Sequence, residues 1–332
     1  MVGFLTYFHP LILSLNYPTN FIRLINYSPS MIKFNKDQMK NSTKTNVTII
    51  IANYNSTQVL QDCLKHLTDL KLIKNTVIVD NASNDGSVEM VKENFPSAEL
   101  ISLKENKGIS YSYNLGASKA KTKYLLFLGS DAFPENNSIP YLENYFDNHP
   151  DVGVATCKIV TRNGDLDMDS HRAFPTPWIS FLYFTKINSQ KYFMKDKNFN
   201  ETHEIDVCIS HFMFVRKNAF DAVDGFDQDY FVYGEDIDFC YRIKNNRWKI
   251  IYIPQVKTLH YKGVSVGLRK ESKDIAKVSK ATKIKMSKMS VEAMELFYNK
   301  HYLKNYPLLL NLLISLTFKL FKLSRILKTQ IS

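Results

Sequence analysis

Several signatures are missing from this 332-residue chain, and each absence closes off a class of function. The four cysteines, Cys63, Cys157, Cys208 and Cys240, lie far apart and form no CxxC pair. That argues against a zinc site or a disulfide scaffold and for buried free thiols in a reducing compartment. The first long apolar run ends in ANYNST, so neither a GxGxxG dinucleotide fingerprint nor a Walker A loop follows it. The opening stretch MVGFLTYFHPLILSLNY has no basic residue ahead of its apolar run, contains Pro10 and offers no small-residue cleavage site. It is a poor secretory signal and too short and interrupted for a membrane span. Residues 1–44 are expected to be a disordered or surface-lying extension, or to include residues ahead of a true start at Met31 or Met39.

The formal charge of +11 is unevenly placed. Residues 269–332 hold 14 Lys/Arg against 4 Asp/Glu, a surplus of 10. The body is close to neutral, which argues against a nucleic-acid-binding core. In the tail, YPLLLNLLISLTFKLFKLSRILK is apolar from Leu308 to Leu316 and continues with Lys319, Lys322, Arg325 and Lys328 at roughly helical intervals. This pattern suits a helix lying in the headgroup layer of an anionic membrane. The alternative is a terminal helix packed on the domain.

Between these ends, strand and helix patterns alternate. VTIIIANYN (47–55) is an apolar run of the kind buried on both faces. STQVLQDCLKHL follows with one helical stripe of Val59, Leu60, Cys63, Leu64 and Leu67, which Ser56 is placed to cap. A second strand leads into DNASNDGS. Then come a short helix SVEMVKENF, a third strand AELISL, a helix KGISYSYNLGASKAKT and a fourth strand KYLLFLGSDAF. Such alternation predicts an α/β fold with a doubly wound, mostly parallel sheet and right-handed crossovers. Ligands in these sheets bind at the carboxyl ends of the strands. Asn53–Asn55, Asp80–Asp85 and Ser130–Asp131 all stand there. From Val152 the pattern changes. Another strand is followed by an irregular, aromatic stretch over 160–205, with HRAFPTPWISFLYF at its centre. A strand over 207–215, a helix, and a last strand ending at His260 complete the domain.

Just before that last strand stands VYGEDIDFCYR, with Glu235, Asp236 and Asp238 within four positions. Acids suit the first turn of a helix. Asp236 and Asp238 point to different sides, so Asp238 is expected to face a partner such as Arg242, four residues on. An EF-hand fails because Phe and Tyr occupy would-be ligand positions.

VTIIIANYN, VDNASNDGS, ENKGISYSYNLGAS, the strand ending in Asp131 and DGFDQDYFVYGEDIDFCYRI, taken in this order, resemble glycosyltransferase family 2 and its bacterial rhamnosyltransferase-like branch. The match runs from about residue 46 to 305. The resemblance implies the GT-A fold in a domain spanning 45–268, with a nucleotide-binding half, an acceptor-binding half and a helical tail over 269–332. It implies a nucleotide-diphospho-sugar donor (a dTDP- or UDP-sugar), a divalent cation (Mg or Mn) and inversion at the anomeric carbon. Carried over residue by residue, Asp80 receives the N3–H of uracil or thymine. Asn53, Tyr54 and Asn81 line the same pocket. Asp85, Gly108, Asn114 and Ser130 lie around the ribose and diphosphate. The metal motif, DxD or NPD in this branch, reads Gly129-Ser130-Asp131 here. Its first acid is absent, which leaves Asp131 as the metal ligand, with His260 as a second. Asp236 is the implied general base and Glu235 orients the acceptor. FYNKHY (297–302) matches a further segment of the branch whose role the sequence does not give.

The expected activity is transfer of a sugar, rhamnose by branch resemblance, to a hydroxyl of a cell-surface glycan or lipid-linked acceptor. The expected place is the inner face of a bacterial cell membrane, reached through the tail, in polysaccharide biosynthesis. Two alternatives stand beside it. The altered metal motif fits a non-catalytic sugar-binding relative. A sugar-phosphate nucleotidyltransferase would need a glycine- and arginine-rich loop that ANYNST does not provide.

Overall fold

A computed structural model describes residues 45–261 and 280–331. The expectations for residues 1–44, and those for 262–279, lie outside the described residues. Where apolar runs are unbroken, the strands are covered on both faces. β1 (Val47–Asn53), β2 (Thr76–Asp80) and β4 (Tyr124–Leu128) are buried almost throughout. Between them run α1 (Thr57–Asp69), α2 (Ser87–Asn94), β3 (Glu99–Ser102) and α3 (Ile109–Lys119). α1 buries the expected stripe of Val59, Leu60, Cys63, Leu64 and Leu67.

The start of α1 departs from expectation. Ser56 does not cap it; its hydroxyl donates to the Tyr54 carbonyl. The Thr57 N–H is instead met at 2.9 Å by the carboxylate of Asp85. A local capping rule cannot anticipate a partner delivered from the next strand's loop.

The sheet order is β3-β2-β1-β4-β8-β6-β9-β5, with β7 also on β9. The remaining strands are β5 (Ala132–Pro134), β6 (Val152–Thr161), β7 (His203–Glu204), β8 (Phe212–Arg216) and β9 (Lys249–His260). The sheet is parallel through β3-β2-β1-β4. β8 then enters antiparallel to both β4 and β6, and β6 and β9 are again parallel. β8 begins later than expected because 207–211 turns away after a single bridge between Val207 and Arg172. The aromatic stretch before it is largely irregular but holds a short helix, α5 (Pro177–Phe184). Proline stands in its first turn, and Thr176 accepts from the Ile179 N–H. All four cysteines are buried and free.

α4 (Ser138–Asn148) and α6 (Lys217–Asp221) flank the sheet, and α7 (Glu235–Asn245) precedes β9. α8 (Lys280–His301) and α9 (Leu308–Ile331) form the C-terminal pair. FYNKHY now has a structural role. Phe297, Tyr298 and Tyr302 are buried against Tyr230, Tyr233 and Tyr241. Lys300 pairs with Asp227 and Asp229, and His301 with Asp238 at 2.7 Å. This segment fastens α8 to α7. α9 turns Ile314 and Phe318 inward and leaves Leu308, Leu309, Leu312, Leu316, Leu320 and Leu323 exposed. Among the described residues, no helix is long and apolar enough to cross a membrane.

Candidate active site

The parallel register sets Asn53 beside Asp80 at the ends of β1 and β2. The Asn53 amide donates to Asp80 Oδ2 at 2.8 Å, and the Ser83 N–H donates to Oδ1 at 2.9 Å. Both side chains are buried, and Asn53 Oδ1 has no hydrogen-bond partner. Tyr54 is 49% exposed at the rim.

Four of the other expected donor residues make contacts within the protein. Asn81 donates to the Gly108 carbonyl at 3.0 Å and accepts from the Lys107 N–H at 2.9 Å. Asn114 pairs with both backbone groups of Phe226, at 2.7 and 2.9 Å. Gly108 has φ +85°, and a Cβ there would lie 2.5 Å from the Phe231 carbonyl oxygen. Only glycine allows so close an approach. Asp85 accepts from Thr57 and Ser87 at the starts of α1 and α2. Burial opposes its ionisation, but the hydrogen bonds from Ser87 and Thr57 together hold the carboxyl below its ordinary range. These residues brace the loops around the cleft.

At the end of β4 the chain turns through Gly129, Ser130 and Asp131, all buried, into β5. Pairing of β5 with β9 puts Ala132 opposite His260, so Asp131 and His260 become neighbours. Their side chains are 3.5 Å apart. His260 Nδ1 bonds to Asp167 Oδ2 at 3.0 Å. His211, just before β8, brings its ring to 4.7 Å from that of His260. Donor atoms of Asp131, His211 and His260 all lie within 4.8 Å of one another. Burial alone would lower the His260 pKa, but Asp131 and Asp167 lift it to about 9. Burial and the neighbouring His260 push His211 the other way. Two buried carboxylates, Asp131 and Asp167, thus flank the His260 ring. The donor set, one carboxylate and two imidazoles, fits a divalent ion.

The three acids at the start of α7 divide by environment. Asp238 faces inward as expected, to Arg242 at 2.7 Å and to His301. Arg242 in turn donates to the carbonyls of Val223 and Gly225. Glu235 and Asp236 face the other side and are also buried. Glu235 Oε1 accepts from Ser210 at 3.0 Å, while Oε2 is buried without a partner. Burial, reinforced by Asp236 next door, pushes the Glu235 pKa up to about 8. Asp236 Oδ2 pairs with Arg172, and Oδ1 accepts from the Ile237 N–H at 2.8 Å. Burial works against the Arg172 charge, but Asp236 beside it keeps the guanidinium protonated.

A cavity of about 990 Å³ lies between the start of α7 and the His211–His260 pair; Asn53, Asp80 and Asp131 do not line it. Glu235, Asp236, Arg172, His211 and His260 open onto it. Its far walls are apolar, from Trp178 and Phe181 of α5 to Phe297 of α8 and Ile314 of α9. Arg172, His211, Ser210 and Asp167 were not singled out by sequence reasoning as site residues. Each is distant in the chain from its partner; for Arg172, Ser210 and His211 the only local signal was a polar side chain inside an apolar or aromatic stretch, and Asp167 stands among other polar residues.

Residues 48–224 match the family described as Glycosyl transferase family 2. The chain is 27% identical over 161 residues to the Rhamnosyltransferase WbbL of Escherichia coli (strain K12), covering 46% of this chain and 61% of that protein. It is 28% identical over 121 residues to a Poly-beta-1,6-N-acetyl-D-glucosamine synthase of Staphylococcus aureus (strain COL), covering 35% of this chain and 29% of that one. The match therefore spans less than two thirds of either relative. Among solved structures, the chain is similar to the mannosyltransferase PcManGT from Pyrobaculum calidifontis in complex with GDP-Man and Mn2+. The TM-score is 0.51 at 17% identity, over 78% of this chain and 65% of that one.

Proposed function

The chain belongs to glycosyl transferase family 2, and on that premise we propose that it moves a sugar from a nucleoside-diphosphate donor to a glycan or lipid-linked hydroxyl, with inversion. The observation that carries this reading is the convergence of Asp236 and Glu235 with His260, which touches Asp131, on one cavity. Asp131 lies more than a hundred positions before Asp236 in sequence. Two pieces of the reaction, one basic and one able to hold a cation, thereby face the same space.

In this reading the base of the donor sits against Asp80 and Asn53, with Tyr54 at the rim. Asn81, Asp85, Gly108 and Asn114 act by positioning the surrounding loops, and Ser130 by shaping the turn that carries Asp131. Asp131 and His260 would hold a divalent cation, whose charge offsets that developing on the departing diphosphate oxygen. The acceptor oxygen attacks the anomeric carbon as the bond to the diphosphate breaks, and Asp236 takes the acceptor's proton. Each Asp236 oxygen accepts one hydrogen bond and keeps a lone pair for this. Arg172 holds the carboxylate in place. Glu235, raised toward neutral pH, orients the acceptor.

The nature of the acceptor follows from the cavity walls. Aromatic and aliphatic side chains of α5, α8 and α9 suit an apolar carrier better than a free sugar. The exposed leucines of α9 extend the same apolar character outward, which supports a lipid-linked acceptor met at a membrane surface. Similarity to a rhamnosyltransferase favours rhamnose, and Mn2+ in the mannosyltransferase complex favours manganese as the cation.

Asp236→Asn tests the assignment. It should retain donor binding, read by calorimetry with UDP or dTDP, and lose on the order of 10²–10⁴-fold in turnover. Turnover equal to that of the wild type would remove Asp236 from the role.

A further inference from the structure

We propose that His211 is a third ligand of the divalent cation, standing in for the acid missing from the metal motif. The resulting set of two imidazoles and one carboxylate favours Mn2+ and its heavier neighbours over Mg2+. The inference rests on the reading above that Asp131 and His260 face a cation.

The missing acid and the added histidine are two views of one feature. The motif's first position is Gly129. A Cβ built there would lie 2.9 Å from His211 Cδ2 and 2.9 Å from Asp131 Oδ1. No side chain at 129 can coexist with the imidazole as placed. The ring therefore fills the space a first carboxylate would need. Strand pairing fixes it there: Leu128 is in register with Phe212, and the Gly129 N–H donates to the His211 carbonyl at 3.0 Å. The position of residue 211 is thus set by the β4–β8 ladder.

The ring is also poised to coordinate. His211 Nδ1 is buried and makes no hydrogen bond. Leaving a buried polar nitrogen unmet costs about 1–3 kcal/mol. Across from it, Asp167 holds His260 Nδ1, which leaves Nε2 on the Asp131 side. A carboxylate behind a metal-ligating histidine is a usual way to fix the ring and its tautomer. The donor atoms lie within 4.8 Å of one another. Neighbouring ligands in an octahedral shell at about 2.1 Å stand about 3 Å apart. Asp131 and His260 already stand 3.5 Å apart.

Two imidazoles change which ion is preferred. Mg2+ favours oxygen donors and gives up water reluctantly. Imidazole suits the first-row transition ions, with affinity rising from Mn2+ along the series. A motif with two carboxylates would not discriminate in this way.

The test is Mn2+ binding to the full chain, with MnCl2 and UDP or dTDP, followed by electron paramagnetic resonance without turnover. In the wild type, pulsed measurements should detect two coordinated imidazole nitrogens. His211→Ala should show one, and should bind Mn2+ about 10-fold or more weakly while Mg2+ affinity moves less than threefold. The exchange His211→Gly with Gly129→Asp should keep one nitrogen and bring Mg2+ affinity closer to that for Mn2+. Should His211→Ala fail to fold, the wild-type nitrogen count and the exchange variant decide. One nitrogen in the wild type, or an unchanged Mn2+ affinity in folded His211→Ala, overturns the inference. If Mn2+ binding then still requires His260, the broader reading of the site survives. Wild-type protein that binds no Mn2+ overturns both.

Discussion

At the start of α7, three carboxylates within four positions meet three environments. Asp238 is paired with Arg242 and hydrogen-bonded to His301, and belongs to the framework. Asp236 is paired with Arg172 yet faces the cavity. Glu235 is buried beside Asp236 with one oxygen unmet. The Glu235 pKa, raised from 4.5 to about 8, has a thermodynamic consequence. Between those values the folded protein holds a proton that the unfolded chain has released. Its contribution to stability is thus fully present below about pH 4.5 and is lost as pH rises through about 8. Urea denaturation of the wild type should show this loss, and Glu235→Gln should remove that part of the slope. An identical pH dependence in both proteins would show that Glu235 titrates normally. The spacing of the acids foretold the inward turn of Asp238. It gave no sign of Arg172, which reaches Asp236 from 64 positions away.

The elements themselves were legible because the physics behind them is local. Val47–Asn53 and Tyr124–Leu128 are apolar without a break, and α1 repeats its apolar residues at helical spacing. What joins the elements was less legible. Asp85 capping α1, Asn114 gripping Phe226 and His211 displacing a side chain at 129 all depend on pairing between distant strands and loops. FYNKHY is similar: its aromatic content was visible, but its docking on α7 required the fold. Gly108 is a case where the residue type was noted and the reason was structural. Its backbone meets that of Phe231, where the Ile109 N–H donates to the Phe231 carbonyl at 2.8 Å. Gly108→Ala should destabilise the protein by about 2 kcal/mol or more, since it adds both positive-φ strain and a backbone clash. A melting temperature unchanged from the wild type would contradict this account of the junction.

For the whole molecule, the basic surplus and the exposed leucines fall on the same C-terminal pair of helices. α9 presents Leu312, Leu316 and Leu320 outward, while other side chains of the helix line the cavity. The proposed membrane contact and the proposed acceptor entrance would thus share one element. Removing α9 would open the cavity as well as the surface, so point changes are more informative. Leu312→Glu with Leu316→Glu should lower binding to anionic vesicles by about 10-fold or more, with the fold intact. Sedimentation with vesicles equal to that of the wild type would assign the leucine face another partner.

In the proposed reaction, one cavity brings a cation-held diphosphate and a carboxylate base to the same sugar. That reaction is tested most directly by release of nucleoside diphosphate from a panel of UDP- and dTDP-sugars, with lipid-linked acceptors and Mn2+. Release from at least one donor, abolished by chelation and by either Asp131→Asn or Asp236→Asn, is the predicted result. Release that persists in both variants, or binding of every donor without release from any, would contradict it.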